Sequence, residues 1–272
     1  MNTKFNFGKN WLSFISTINA ERINNAKNCL LGLLELESLE DKSFIDIGSG
    51  SGLSSLVARQ AGASVVSFDY DNDSVDCTRK LQEKFFPSDE KWKISRGSIL
   101  NKTYVNTLGK FDIVYSWGVL HHTGFLYEAI YNAHLCTADR GILFIAIYND
   151  QGIISSIWHI IKKFYNLGSV PRIISKIIFF TLFFIAGLLI DIFRFRNPVK
   201  RYSEHKKIRG MSLMHDWKDW LGGYPYEAAR PERIISYVNN LGYKLSKVEY
   251  TKHGFGNNQY VFKKIETIQD DN

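Results

Sequence analysis

Proline and cysteine are scarce in this sequence, with 5 and 3 respectively among 272 residues, beside 20 glycines. So little proline, together with 45% hydrophobic and 22% charged residues, excludes collagen-like and low-complexity chains and leaves a globular protein. Cys29, Cys77 and Cys136 are odd in number and form no C-x-x-C pair, so neither a disulfide framework nor a structural zinc is expected, and no metal site is predicted elsewhere. Residues 1–9 lack the apolar core of a secretory signal, and no internal repeat is visible. The length suits one α/β domain carrying an added element, and the cysteine usage suits a reduced, cytoplasmic setting.

Negative charge is nearly missing from one stretch. Residues 162–209 hold eleven Lys and Arg against Asp191 and Glu204, a net of +9 within an overall +7, so the remainder is mildly acidic. A nucleic-acid surface interleaves its basic residues with polar and stacking groups. Here they bracket residues 177–190, fourteen positions without a charge, so nucleic acid is not expected as a partner. As a helix that run is roughly 21 Å long, whereas a bilayer core of about 30 Å asks for around 20 apolar residues. Starting it at Ile173 takes in Ser175 and Lys176, the lysine being tolerable only if it snorkels to the headgroups. A transmembrane span stays open despite its length, and two further readings stand beside it. One is an interfacial helix on an anionic membrane, flanked by Lys162, Lys163, Arg172 and Lys176 before and Arg194, Arg196, Lys200 and Arg201 after. The other is a buried lid over an apolar substrate. The expected partner is a small-molecule or lipid-linked substrate, with peripheral contact to the inner face of a membrane through 162–209 under the first reading.

Elsewhere short apolar runs alternate with helical patterns, as in β-α-β units around a parallel sheet. Strands are predicted at 43–47, 64–68, 92–95, 111–115 and 142–147, with helices over 53–61 and 73–85 and helical segments within 10–37. Pro231 suits the first turn of a helix reaching Leu241, since its missing N–H costs nothing there. Residues 243–250 and 260–264 close the sheet as an antiparallel pair around the turn-rich 253–258.

The sharpest local signal is the run from Phe44 through Asp46, Gly48, Ser49 and Gly50 to Gly52, a strand ending in an acid and then a glycine-rich turn into a helix. Glycines permit a tight turn and close approach to a ligand, and the helix N-terminus offers free N–H groups. A dinucleotide fingerprint needs a third glycine at 53, which is Leu53, and no Gly-Lys-Ser/Thr follows for a phosphate loop. After the second strand come Asp69, Tyr70 and Asp71, where a carboxylate can accept hydrogen bonds from ribose hydroxyls. An adenosine-containing cofactor without a pyrophosphate is favoured.

With these residues, and with Phe111–Asp112–Ile113–Val114–Tyr115–Ser116–Trp117–Gly118–Val119–Leu120–His121–His122, the chain resembles the class I S-adenosylmethionine-dependent methyltransferases. The branch it resembles is that of ubiquinone-biosynthesis-like small-molecule methylases, over about residues 43–148. The resemblance implies a doubly wound, seven-stranded, mainly parallel Rossmann-like sheet with a helical insertion. It implies that Asp46, Gly48, Ser49, Gly50 and Gly52 cradle the methionine and ribose portion of S-adenosylmethionine, that Asp69 holds the ribose and that Tyr70 packs on the adenine. Ser98 and Ile99 stand where the family often has an acid near the adenine amine, and Ser116 belongs to the motif beside the methyl group. The organisation expected is a helical cap over 1–40, the cofactor-binding core over 41–150, an apolar and basic insertion over 151–228, and the end of the sheet over 229–272.

Methyl transfer from a sulfonium is an in-line displacement, so the protein's tasks are alignment and exclusion of water. A phenol or alcohol nucleophile also needs a base, and a neutral histidine with a pKa near 6.5 contributes about 10²–10⁴-fold. His121 and His122 are the candidates, at the carboxyl end of the fourth strand where open α/β sheets place ligands; capping or packing is the structural alternative for either. Tyr148, Arg209, His215, Asp216 and Tyr224 are the candidate substrate contacts, with an Arg–Asp strut as the alternative for the cap residues. Trp217 and Trp220 share a helical face suited to packing, and His253, Asn257 and Asn258 are candidates for the rim of the site. The reading is an O-methyltransferase acting on a quinol, phenol or sugar. Nucleic-acid methylation and a non-catalytic cofactor-binding module are its competitors.

Overall fold

A computed structural model describes residues 18–195, 197, 213–251 and 256–265, without the side chains of 213–216 and 219. Seven strands form one sheet among these residues: β1 (Ser43–Ile47), β2 (Ser64–Asp69), β3 (Trp92–Arg96), β4 (Phe111–Trp117), β5 (Thr137–Tyr148), β6 (Tyr243–Glu249) and β7 (Asn257–Lys264). Their order is β3-β2-β1-β4-β5-β7-β6. β1 to β5 pair in parallel, and β7 runs antiparallel to both of its neighbours. The order reverses between β1 and β4, which makes the carboxyl ends of those two strands the crevice where such sheets bind ligands.

Alternation along each strand sends side chains to two apolar layers. Phe44, Ile113, Tyr115 and Phe144 pack with α1 (Ala20–Leu34), α2 (Leu53–Gln60) and α3 (Asn72–Phe85) on one face. Ile45, Ile47, Val114 and Ile145 pack with α4 (Lys102–Leu108), α5 (Leu126–Leu135) and α9 (Pro231–Asn240) on the other. Local chemistry starts several helices: Asn19, Asp71 and Asn101 each accept a backbone N–H from the first turn of the helix they precede. Pro231 opens α9 as expected.

Between β5 and α9 the chain leaves the sheet through α6 (Ile153–Tyr165) and α7 (Ser169–Phe193) and returns through α8 (Leu213–Gly222). Exit and re-entry are stapled together: Asn149 bridges Ala229, the Ala229 N–H donates to the Tyr148 carbonyl and the Asp150 N–H to the Ala229 carbonyl. The apolar run expected over 177–190 lies inside a helix of 25 residues, roughly 37 Å at about 1.5 Å per residue. Its ends are set by Gly168 and Arg194 rather than by the charged positions Lys176 and Asp191, which the helix takes in. β5 begins five residues before the expected 142, and Asn257 and Asn258 belong to β7 rather than to a turn, because they register with Tyr148 and Ile147. His253 lies outside the described residues.

Candidate active site

Gly48, Gly50 and Gly52 have φ of +77°, +53° and +78°, a left-handed track that side chains with a Cβ adopt only at a cost. Space demands glycine as well. A Cβ on Gly48 would lie 2.5 Å from both methyl groups of Val119, and one on Gly52 would lie 2.9 Å from the Thr78 Cα. The loop is tied to the sheet by the Gly48 and Ser49 N–H groups, which donate to the Phe68 carbonyl at 2.8 and 3.1 Å. The Ser49 hydroxyl bonds that of Thr78 at 3.0 Å.

Asp69, half-buried at the end of β2, accepts the Gly50 N–H at 3.0 Å on one oxygen and the Asp71 N–H at 2.9 Å on the other. Burial pushes its carboxyl up to about 6, with these N–H bonds pulling the other way. Asp46 is more enclosed. It accepts the Ser55 hydroxyl at 2.6 Å, Ser55 accepts that of Ser67 at 2.7 Å, and Ser67 accepts the Trp92 indole N–H at 2.8 Å. Burial raises Asp46 to about 7, opposed by Ser55 and reinforced by the charge of Asp69. Two carboxyls held above their ordinary range thus lie beside one glycine loop, an arrangement common at ligand sites.

Tyr70 exposes its ring beside Asp69, with the Arg96 guanidinium 5.8 Å from the ring centre and its Nε donating to the Tyr70 carbonyl at 3.3 Å. The Gly97 N–H donates to the Asp69 carbonyl at 3.0 Å, which brings 97–99 alongside. The Ser98 hydroxyl accepts the Leu100 N–H at 3.3 Å, and the carbonyl of buried Ile99 accepts the Asn132 amide at 2.8 Å. Ser116 is different: it is buried and donates to the Ile47 carbonyl at 3.0 Å, joining β1 to β4 beneath the crevice. A cradle that a Cβ would fill, a solvent-exposed tyrosine and a half-buried carboxylate between them suit a cofactor with an adenosine moiety.

Val119 leads from the glycine loop into a 3₁₀ turn, Leu120–His122. His121 is fully buried, and among the described residues neither ring nitrogen has a partner in good hydrogen-bond geometry, the Ala146 backbone being a nearby polar influence. Its ring lies 4.0 Å from that of Tyr148 and 4.5 Å from that of His122, centre to centre. Burial drives its pKa well below the ordinary range, helped by His122 and Lys162. His122 is half-buried and donates from Nδ1 to the Pro225 carbonyl at 2.6 Å, which leaves its lone pair on Nε2. Burial, with Lys162 in support and the Pro225 bond opposing, takes it down to about 4. The expectation of a base near 6.5 is thus corrected, because the insertion closes over the pair. The strap 225–227 does the closing: the Glu227 N–H donates to the His121 carbonyl at 2.9 Å, and the Glu227 carboxylate accepts the Leu126 N–H at 3.2 Å.

Of the expected substrate contacts, Tyr148 sits against both histidines, whereas the Tyr224 ring packs 5.8 Å from that of His159. Arg209 lies outside the described residues, as do the side chains of His215 and Asp216 on α8. Trp217 packs on Phe180 and Phe183, and Trp220 on Tyr148 and Trp158, so this pair joins helices. Asn258 donates to the Asn149 amide oxygen at 3.0 Å at the foot of the insertion.

Lys162 is the residue that sequence reasoning misplaced. Counted there as part of a basic flank, it is fully buried, donates to the Trp220 carbonyl and lies 4.5 and 5.1 Å from the Trp220 and Tyr226 ring centres. Ser155, Trp158, Lys162 and Tyr165 fall on one face of α6, and that spacing was the available signal.

A family model for the methyltransferase domain matches residues 20–191, more than half of the chain. None of the curated proteins matches the sequence. Among solved structures, magnesium protoporphyrin IX methyltransferase from Synechocystis PCC 6803, with bound SAH, is similar over 92% of this chain and 86% of its own, at TM-score 0.54 and 13% identity. An O-methyltransferase family protein from Burkholderia thailandensis is similar over 90% of this chain and 56% of its own, at TM-score 0.55 and 11% identity. PKMT2 from Rickettsia typhi, in complex with AdoHcy, is similar over 88% and 52%, at TM-score 0.55 and 12% identity. Those likenesses are of fold, and with the matched family model they identify the chain as a member of the methyltransferase-domain family.

Proposed function

We infer that the protein uses S-adenosylmethionine to methylate an oxygen of a small or lipid-linked acceptor, a quinol, phenol or sugar, as a ubiquinone-biosynthesis-like methylase does. The observation that carries this reading is the left-handed glycine loop beside half-buried Asp69 at the β1/β4 crevice, one residue contact away from the histidine turn. Bound there, the cofactor supplies an electrophilic methyl group. Asp69 would hold the ribose hydroxyls, Tyr70 would pack on the adenine with Ser98 and Ile99 beside it, and Gly48, Ser49, Gly50 and Gly52 with Asp46 would cradle the methionine portion. Ser116 acts through the β1–β4 junction that it ties.

His122 is the better placed base. Its Nδ1 proton is engaged, its Nε2 carries the lone pair, and a pKa of about 4 keeps it neutral across the physiological range. So weak a base takes the proton as the oxygen–methyl bond forms, when the oxygen becomes strongly acidic. His121 walls the site with Tyr148. Tyr148, against both histidines, would be the first acceptor contact, and Tyr224, Arg209, His215 and Asp216 are kept as candidates for substitution. The chain is organised as a cap over 1–40, a core over 41–150, an insertion over 151–228 and a return over 229–272, and it works in the cytoplasm at the inner face of a membrane.

Calorimetric titration with S-adenosylmethionine tests the first half, with micromolar binding expected and a loss of roughly tenfold or more in Asp69→Ala. Methyl-labelled cofactor added to membrane extract tests the second: label in an organic-solvent-soluble product is expected, and label confined to water-soluble metabolites contradicts a lipid-linked acceptor. With the product in hand, His122→Ala is expected to lose about 10²–10⁴-fold in turnover while binding cofactor normally. Unchanged turnover removes His122 from the mechanism.

A further inference from the structure

Helices on a water-soluble protein bury an apolar stripe and expose polar residues. In α7 the stripe facing the protein is Ser175, Phe179, Phe183, Gly187 and Asp191, spaced by four, and Ser175 and Asp191 are its fully buried members. The outward faces carry Ile177, Leu182, Ile185, Leu189 and Ile192, between 47% and 63% exposed. α6 repeats the inversion, with Ser155, Lys162 and Tyr165 buried and Ile153, Ile154, Ile157, Ile160 and Phe164 exposed. Two adjacent helices thus put polar groups inward and isoleucine, leucine and phenylalanine outward, the kind of exposed apolar face that marks contact with a membrane or a partner. Lys163, Arg172 and Arg194 are exposed around the pair, and the stretch they belong to has a net charge of +9.

We propose that α6 and α7 together form a lipid-embedded face that lies flat in one leaflet of an anionic membrane, holding the methyltransferase on the surface without crossing it. The polarity of the helices selects hydrocarbon as the surroundings, and the cationic rim selects anionic headgroups. Orientation follows from packing. α7 is long and apolar enough to cross a bilayer by length and composition. At its midpoint, however, Trp158 lies 5.7 Å from Phe179 and Trp217 lies 5.4 Å from Phe180, centre to centre. Both tryptophans belong to helices rooted in the methyltransferase core, so a crossing α7 would draw those helices, and buried Lys162 with them, into the hydrocarbon. This face begins at Ile153, outside the basic stretch 162–209. From it the rings of Trp158, Trp220, Tyr148 and His122 follow one another at 5.4, 5.9 and 5.4 Å. Packed rings thus join the lipid face to the site, which puts an acceptor dissolved in the leaflet close to the site's edge, a consequence that rests on the function proposed above, whereas the lipid face itself does not.

Flotation of the full chain with vesicles of phosphatidylcholine, alone or mixed with phosphatidylglycerol, is the test. The wild type is expected to float, more strongly with phosphatidylglycerol and less so as salt rises. Ile160→Glu with Leu182→Glu is expected to weaken binding on the order of a hundredfold, with calorimetric binding of S-adenosylmethionine unchanged as the proof of folding. A wild type that stays with the aqueous fraction, a double variant that floats equally well, or a wild-type dimer that the double variant turns into monomers without any vesicle binding would each overturn the proposal. Orientation is read in a Cys29→Ser background, since Cys29 is exposed while Cys77 and Cys136 are buried. Leu167→Cys and Phe195→Cys, beyond opposite ends of α7, are both expected to react with an impermeant maleimide outside sealed vesicles. Protection of one until the vesicles are lysed means that α7 crosses. If flotation holds while S-adenosylmethionine does not bind, the lipid face stands and the methyltransferase reading falls.

Discussion

The sheet and the α6–α7 pair sort their side chains in opposite directions. In the sheet Phe144, Ile145, Ile147 and Val114 are wholly enclosed, and Lys93, Asp139 and Arg140 face out. In α6 and α7 Lys162 and Asp191 are enclosed, and the isoleucines face out. One rule produces both arrangements, namely that apolar surface leaves water. The difference teaches that the two regions have different surroundings, and that a residue's burial reports on its neighbours before it reports on its type.

The comparison breaks most clearly with paired truncations. Phe144→Ala, which empties a site stacked at 4.7 Å on Tyr115, is expected to cost about 3–5 kcal/mol by denaturant unfolding. Gly48→Ala is expected to follow with about 2–3 kcal/mol, from a left-handed backbone and a Cβ 2.5 Å from Val119, and to weaken cofactor binding with it.

Next come the titrations, which carry opposite signs. Asp46, raised to about 7, holds more protons folded than unfolded, so it removes stability as pH rises from about 4 to 7, by up to about 1.4 kcal/mol per unit. His122, lowered to about 4, is charged only in the unfolded chain between about 4 and 6.5, so it adds stability over that rise, as His121 does. Unfolding free energies measured across this window are expected to climb more steeply with pH in Asp46→Asn and less steeply in His122→Gln. The smallest effect belongs to Leu189→Ala on the outward face of α7, within about 0.5 kcal/mol in vesicle-free buffer. A loss as large as that of Phe144→Ala there would mean that protein, not lipid, covers the helix.

Much of the sheet was legible because its signals are local. Strand β1 is an apolar run closed by glycines, and Asp69, Tyr70 and the histidine turn sit at fixed distances from strand ends that periodicity reveals. What escaped depends on partners remote in sequence. Lys162 reads as a surface charge until Trp220, 58 residues on, is folded over it. The length of α7 escaped because charge marks helix ends poorly when the protein shelters the charges: Asp191 looks like a terminus and is instead a buried member of the inner stripe. The short helices α4 and α5 went unnoticed among their strands. The lowered pKa values of the histidines required the strap 225–227, whose position no motif announces.

The interlock of Val119 with Gly48 bears on timing. The loop that receives the donor and the turn that carries His122 share one van der Waals boundary, with two residues of chain between Val119 and the imidazole. Under the proposed function, a cofactor held in the glycine loop would press on the turn through Val119, so the acceptor would meet a finished site only afterwards. Compulsory order, donor first, is the expected outcome, and product inhibition checks it: S-adenosylhomocysteine competes against the donor alone if the order holds.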